Sequence, residues 1–173
     1  LKINSHGSSG NLTTDNKYVL DEPQLKQLKS ELESFVREYF YGAWSPKKDS
    51  VDVYITTSWL TWMEQGEFHA PHVHPNSFIS GTFYVYSGSN DKIIFDNDRK
   101  KVEDILIFED QTNQYNCYSM AEQTPTGSIK MFPSRILHSV PPKEDTSPRC
   151  CLAFNTWLKG TIGSKETATE LKL

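Results

Sequence analysis

The chain has 173 residues, with 18 basic and 22 acidic side chains and a formal charge of −4. That length fits one domain with one core. No clustered Lys/Arg run offers the phosphate footprint that nucleic acid requires. No apolar run approaches the roughly 18 residues that a spanning helix needs.

Aromatic residues make up 12% of the chain, nine Phe, eight Tyr and four Trp, a composition that suits sheets and ligand pockets. Cys117, Cys150 and Cys151 are odd in number and two are adjacent, so a disulfide framework is not expected. With no CxxC spacing, a cysteine zinc site is not expected either. These features, and a start without a basic-then-apolar leader, give the expectation of a cytoplasmic protein with no membrane partner.

Residues 1–17 are polar and rich in Ser, Gly, Asn and Thr, and are expected to form a flexible lead-in. His6 lies there and is given no role. The single domain is expected over 18–160. Within it, a helix is predicted over 22–41, with Asp21 as N-cap and Glu22-Pro23 in the first turn. Leu25, Leu28, Leu32, Phe35, Val36, Tyr39 and Phe40 recur at helical spacing and should pack this helix on a sheet.

The pattern then changes period. Val51, Val53 and Ile55 alternate with polar residues, and Ser58–Met63 continues as a strand. Further strands are predicted over Ile79–Tyr86, Lys92–Phe95, Ile105–Phe108, Asn116–Ala121, Gly127–Phe132, His138–Val140 and Arg149–Leu158. Asp98-Arg99-Lys100-Lys101 reads as a solvated turn. Many short strands after one helix predict an all-β sandwich or jelly roll. Residues 161–173 are expected to be a polar tail that frays.

Of five histidines, His69, His72 and His74 fall within six positions and His138 lies far along the chain. Imidazole is the commonest metal ligand near neutral pH. On a strand, residues two apart share a face, so His72 and His74 should point together while a regular strand aims His69 elsewhere. Pro71 and Pro75 bracket the pair and make it a short strand or edge. In a jelly roll a distant strand can bring His138 alongside. Three ligands on one face leave positions open for substrate and dioxygen. HxH alone is equally compatible with surface or hydrogen-bonding histidines.

Arg149 heads the apolar strand Arg149-Cys150-Cys151-Leu152-Ala153-Phe154-Asn155. A cation there needs a partner. Its fork suits a ligand carboxylate, and a rim salt bridge to Glu144 or Asp145 would satisfy it equally. Trp59, Trp62, Phe83 and Phe95 are candidates to shape a dry pocket or simply to fill the core. Cys150 and Cys151 should point to opposite faces of their strand.

Three ordered segments carry a resemblance. Pro71-His72-Val73-His74-Pro75-Asn76-Ser77-Phe78-Ile79-Ser80-Gly81-Thr82-Phe83-Tyr84-Val85 resembles the H-x-H-P…S-G-x-x-Y-V core of a 2-oxoglutarate–Fe(II) oxygenase family of phages and bacteria. Lys130-Met131-Phe132-Pro133-Ser134 leading to His138, and Arg149 leading to Phe154-Asn155, fit the same family in the same order. The resemblance covers roughly Ser58 to Leu158. It implies a double-stranded β-helix (a cupin-like jelly roll), Fe(II) held by His72 and His138, and Arg149 on the distal carboxylate of 2-oxoglutarate. Tyr84 or Ser80 would hydrogen-bond the same cosubstrate, and dioxygen would complete the set. It also implies a dioxygenase acting on a small-molecule or peptidyl substrate in a bacterium or an infected host cell.

One position departs from the wider superfamily, which has His-x-Asp or His-x-Glu where this chain has His74. Two alternatives therefore stand beside the 2-oxoglutarate-dependent reading with His72, His74 and His138 as ligands. One is a three-histidine cupin-type dioxygenase that does not use 2-oxoglutarate. The other is a non-catalytic jelly-roll binding module.

Overall fold

The computed structural model describes residues 2–3, 10–47, 49–97, 110–113 and 116–173. Two 3-10 turns, Val19–Asp21 and Pro23–Leu25, lead into helix α1 at Lys26–Trp44. The helix thus begins four residues later than its periodicity suggests. Pro23 sits at the first position of the second 3-10 turn, where its missing N–H costs nothing. Asp21 is not the N-cap; its carboxylate accepts from Lys29 Nζ at 2.6 Å instead. Leu32, Val36 and Phe40 are buried along one face, and Ser45 closes the helix in the left-handed region with φ 43°.

The strands are β1 (Lys2–Ile3), β2 (Leu12–Thr13), β3 (Val51–Met63), β4 (His69–His72), β5 (Ile79–Tyr86) and β6 (Lys92–Asp96). They continue with β7 (Ser119–Gln123), β8 (Ile129–Pro133), β9 (His138–Val140), β10 (Arg149–Ile162) and β11 (Leu171–Lys172). The predicted strand at Ile105–Phe108 and the turn at Asp98–Lys101 lie outside the described residues, as does His6. A large sheet runs β1-β2-β3-β10-β5-β8, with β11 paired to β10, and a small sheet runs β4-β9-β6-β7. This is the predicted jelly roll with its supporting helix.

The helix packs on the outer face of the large sheet. Val53, Ile55, Ile79, Leu152 and Phe154 meet Leu32, Val36 and Phe40 there in one buried cluster. A register shift between Asn155 and Thr156 gives β3 one extra residue, Thr56. Because side chains alternate, that extra residue exchanges the two faces of β3. Val53 and Ile55 face the helix before it, while Trp59, Thr61 and Met63 face the small sheet after it.

Described residues near both ends of the chain are paired into strands. Leu12 and Thr13 pair with Trp62 and Thr61, and Asn11 is fully buried. Leu171 and Lys172 fold back onto Ile162 and Thr161. The exposed backbone of long edge strands gains hydrogen-bond partners this way, which composition alone does not reveal.

Candidate metal centre

Between the sheets lies a cavity lined by Trp59, Thr61 and Met63 of β3, Thr82 and Tyr84 of β5, Arg149, Cys151 and Ala153 of β10, and the histidines of the small sheet. His72 and His138 are direct cross-strand partners on β4 and β9. His74 lies just beyond the end of β4, and the Ser134 carbonyl accepts its backbone N–H at 3.0 Å. The short turn from β8 to β9 therefore fixes the loop that carries His74. Ring centroids are 4.3 Å apart for His72–His138, 5.2 Å for His72–His74 and 5.1 Å for His74–His138. One nitrogen from each lies within 4.8 Å of the others.

Hydrogen bonds select which nitrogens converge. His72 Nδ1 lies 2.8 Å from the Ala70 carbonyl, His138 Nδ1 2.9 Å from the Ile136 carbonyl, and His74 Nδ1 2.7 Å from Asn155 Oδ1. Each acceptor requires Nδ1–H, so each Nε2 keeps its lone pair for a metal. Burial pushes the His138 imidazole down to about 4 and lowers that of His74, which favours the neutral form of both. Trp59 stacks beside His74, and Phe132 lies against His138 with centroids 4.6 Å apart.

Arg149 is 5% exposed, yet among the described residues no carboxylate pairs with it. The expected rim partner Asp145 is taken by Lys143, as is Asp91. Arg149 Nε donates to Cys151 Sγ at 3.3 Å, and the guanidinium carbon sits 5.1 Å from the Tyr84 ring centroid. Tyr84 is fully buried, and its hydroxyl meets no hydrogen-bond partner. Among the described residues, no Asp or Glu lines the cavity. It therefore brings together a buried cation, a phenol hydroxyl and three converging imidazoles.

Two residues, one predicted in the site and one expected to point away from it, sit differently from their expectation. Ser80 does not line the cavity. Its hydroxyl donates to Asn155 Oδ1 at 2.9 Å and lies 2.8 Å from Ser134 Oγ, so it belongs to the structure behind His74. His69 does line the cavity, because a register shift between His69 and His72 breaks the alternation that would have aimed it away. Asn11 Nδ2 lies 2.5 Å from His69 Nε2, and burial, with neighbouring His72, pushes the His69 imidazole down to about 3. Of the four aromatics considered, Trp59 lines the cavity, Phe83 packs toward the helix, and Phe95 supports Phe132 at 4.9 Å. Trp62 lies outside the cavity lining, with its indole N–H donated to Glu64. Cys151 faces the cavity and Cys150 does not, as alternation predicts, and all three cysteines are free. Asn155 and Asn11 went unassigned in the sequence. Asn155 was legible only as part of a motif, and Asn11 carried no signal.

No curated protein sequence matches the chain. In structure it resembles an oxidoreductase of the 2OG-Fe(II) oxygenase family from Burkholderia pseudomallei, with TM-score 0.55 and 11% identity, over 85% of this chain and 64% of that protein. The chain thus spans less than two thirds of that protein's length. It resembles a Pseudomonas putida prolyl-4-hydroxylase with TM-score 0.54 and 12% identity, over 90% of this chain and 76% of that one. HygX from Streptomyces hygroscopicus, solved with nickel and 2-oxoglutarate bound, has TM-score 0.50 and 9% identity, over 90% and 73% of the two chains. At these identities the likeness speaks for the fold. The family itself comes from the sequence: residues 57–155, more than half of the chain and the stretch that builds the cavity, match the family model described as "Putative 2OG-Fe(II) oxygenase", and the chain belongs to that oxygenase family.

Proposed function

We propose that the chain is an Fe(II)- and 2-oxoglutarate-dependent hydroxylase in which His72, His74 and His138 hold the metal through Nε2. Arg149 would hold the distal carboxylate of the cosubstrate, and Tyr84 would donate its hydroxyl to the same ligand. One observation carries the reading: a buried guanidinium, with no ion-paired carboxylate among the described residues, shares a cavity with three converging imidazoles. A 2-oxo dicarboxylate supplies what each group lacks, a chelating end for the metal and an anion for Arg149. The orphaned Tyr84 hydroxyl fits the same ligand.

When bound, iron and 2-oxoglutarate supply the oxidation, in which dioxygen is reduced, the cosubstrate loses carbon dioxide to become succinate, and a substrate C–H becomes C–OH. The chain's own residues bind and orient. The three Nδ1–H bonds fix the imidazole planes before any ligand arrives, and Arg149 sets the direction of the cosubstrate. Trp59 and Phe132 limit water around the reacting centre.

The test is anaerobic titration of the Fe(II)-loaded protein with 2-oxoglutarate, followed by the visible absorbance of the chelate. Saturable binding is expected in the wild type. Arg149→Leu should weaken it by about 2–5 kcal/mol, the cost of truncating one partner of a buried charge pair. Stoichiometric iron with no affinity for 2-oxoglutarate would instead favour the three-histidine dioxygenase. A chain that binds neither would be a binding module.

A further inference from the structure

We infer that Asn155 is the positioning residue that makes His74 a metal ligand, and that Ser80 holds its amide to that task. The inference rests on the reading of the three histidines as a metal centre. His72 and His138 solve their Nδ1 problem locally, each against a carbonyl two residues earlier in the chain, Ala70 and Ile136. His74 stands apart. Its Nδ1 partner is a side chain 81 residues away, Asn155 Oδ1 at 2.7 Å.

A side-chain amide can present either oxygen or NH2. With oxygen toward His74, Nδ1 carries the proton and Nε2 keeps the lone pair that faces the other two histidines. With NH2 toward His74, Nδ1 must accept, the proton moves to Nε2, and that nitrogen is lost to a metal. The orientation of one amide therefore decides whether the trio is complete.

The surroundings decide the orientation. Ser80 and Asn155 are direct cross-strand partners on β5 and β10, so their side chains share a face. The Ser80 hydroxyl donates to the same Oδ1, which fills both of its lone pairs. Ser134 Oγ donates to Ser77 Oγ at 2.7 Å and lies 2.8 Å from Ser80 Oγ, which places a run of hydroxyls behind the amide. Ser80 and Ser134 are each 1% exposed, so water does not compete. The Ser134 carbonyl accepts the His74 backbone N–H, which holds the loop that carries the ligand.

This arrangement gives the S-G and F-N segments a chemical role. Where the wider superfamily places a carboxylate directly on the metal, this chain places an imidazole and backs it with a neutral amide. All three ligands are then uncharged.

The experiment uses the full chain with Co(II) in place of iron and compares the wild type with Asn155→Leu, Asn155→Asp and the pair Ser80→Ala/Ser134→Ala. Two readouts are taken: the Co(II) dissociation constant, and the count of exchangeable, Co(II)-shifted imidazole N–H resonances by proton NMR. The wild type should show three such resonances, one for each Nδ1–H. Asn155→Leu should bind Co(II) about 10- to 100-fold more weakly and lose one resonance. Asn155→Asp keeps the acceptor and should keep both. If Asn155→Leu does not fold, the serine pair decides, with several-fold weaker binding and faster exchange of one resonance expected. Unchanged affinity and three slowly exchanging resonances in Asn155→Leu, or in the serine pair where that decides, would overturn the inference while leaving the metal centre standing. A wild-type chain that binds no Co(II) would overturn the metal centre itself.

Discussion

A single methyl group on Gly81 would collide with the buried ring of Phe154 on the neighbouring strand. Gly81 on β5 pairs directly with Phe154 on β10, and an added Cβ would sit 2.2, 2.6 and 2.9 Å from three atoms of the Phe154 ring. Carbon atoms rest at about 3.5–4.0 Å, so the ring must withdraw by more than about 1.3 Å. It has nowhere to go: Phe154 is fully buried among Val36, Phe40, Ile79 and Leu152. Overpacking of this kind costs about 1–3 kcal/mol, and the upper end is expected here. At about 2–4 °C per kcal/mol for a chain of this size, Gly81→Ala should lower Tm by about 6–12 °C. Urea unfolding of Gly81→Ala, Phe154→Leu and the double variant gives the coupling. Trimming the ring should relieve part of the clash, so the double variant should be more stable than the sum of the single losses by about 1–2 kcal/mol. Additivity within about 0.5 kcal/mol would show that the contact does not limit packing and would refute the reasoning.

Other expectations follow from the same geometry. His72→Ala and His138→Ala should each abolish stoichiometric Co(II) uptake by metal analysis after dialysis, whereas His69→Ala should retain it. Lys143→Met should destabilise the fold by about 3 kcal/mol in urea, because Asp91, itself buried, loses its counter-ion. The metal-free protein should lose stability in acid. Burial holds His69 at about 3 and His138 at about 4, below the ordinary 6.5, so below that value the unfolded chain binds more protons than the folded one. Stability is then full above about pH 6.5 and falls as pH drops toward 4 and 3. His69→Asn should flatten that fall in melts between pH 4 and 7, and an unaltered slope would contradict the assignment.

Much of the architecture was legible because the strands alternate cleanly. Ile79–Tyr86 and His138–Val140 match their predicted bounds, and β3 and β10 begin where the pattern changes. Expectations failed where alternation is interrupted. The register shift after His69 turns that side chain into the cavity, and the extra residue at Thr56 exchanges the faces of β3. A bulge leaves no mark in the hydrophobic pattern beyond a change of parity, and His69 offered none. The helix start was misplaced because Asp21 and Pro23 carry the signals of a helix N-terminus and of a 3-10 turn alike. The histidine trio was readable from spacing and resemblance together. The supporting groups were not, since Ser80, Ser134 and Asn155 meet only through strand register, and Asn11 reaches His69 across 58 residues.

Succinate formation from 2-oxoglutarate is the most direct measure of the central claim. Anaerobically Fe(II)-loaded wild type, His138→Ala and Arg149→Ala would each receive 2-oxoglutarate and then oxygen, with succinate quantified over time. The account predicts slow turnover in the wild type even without a substrate, and its loss in both variants. Succinate that forms equally well in Arg149→Ala or His138→Ala would contradict the assignment of cosubstrate and metal to this cavity.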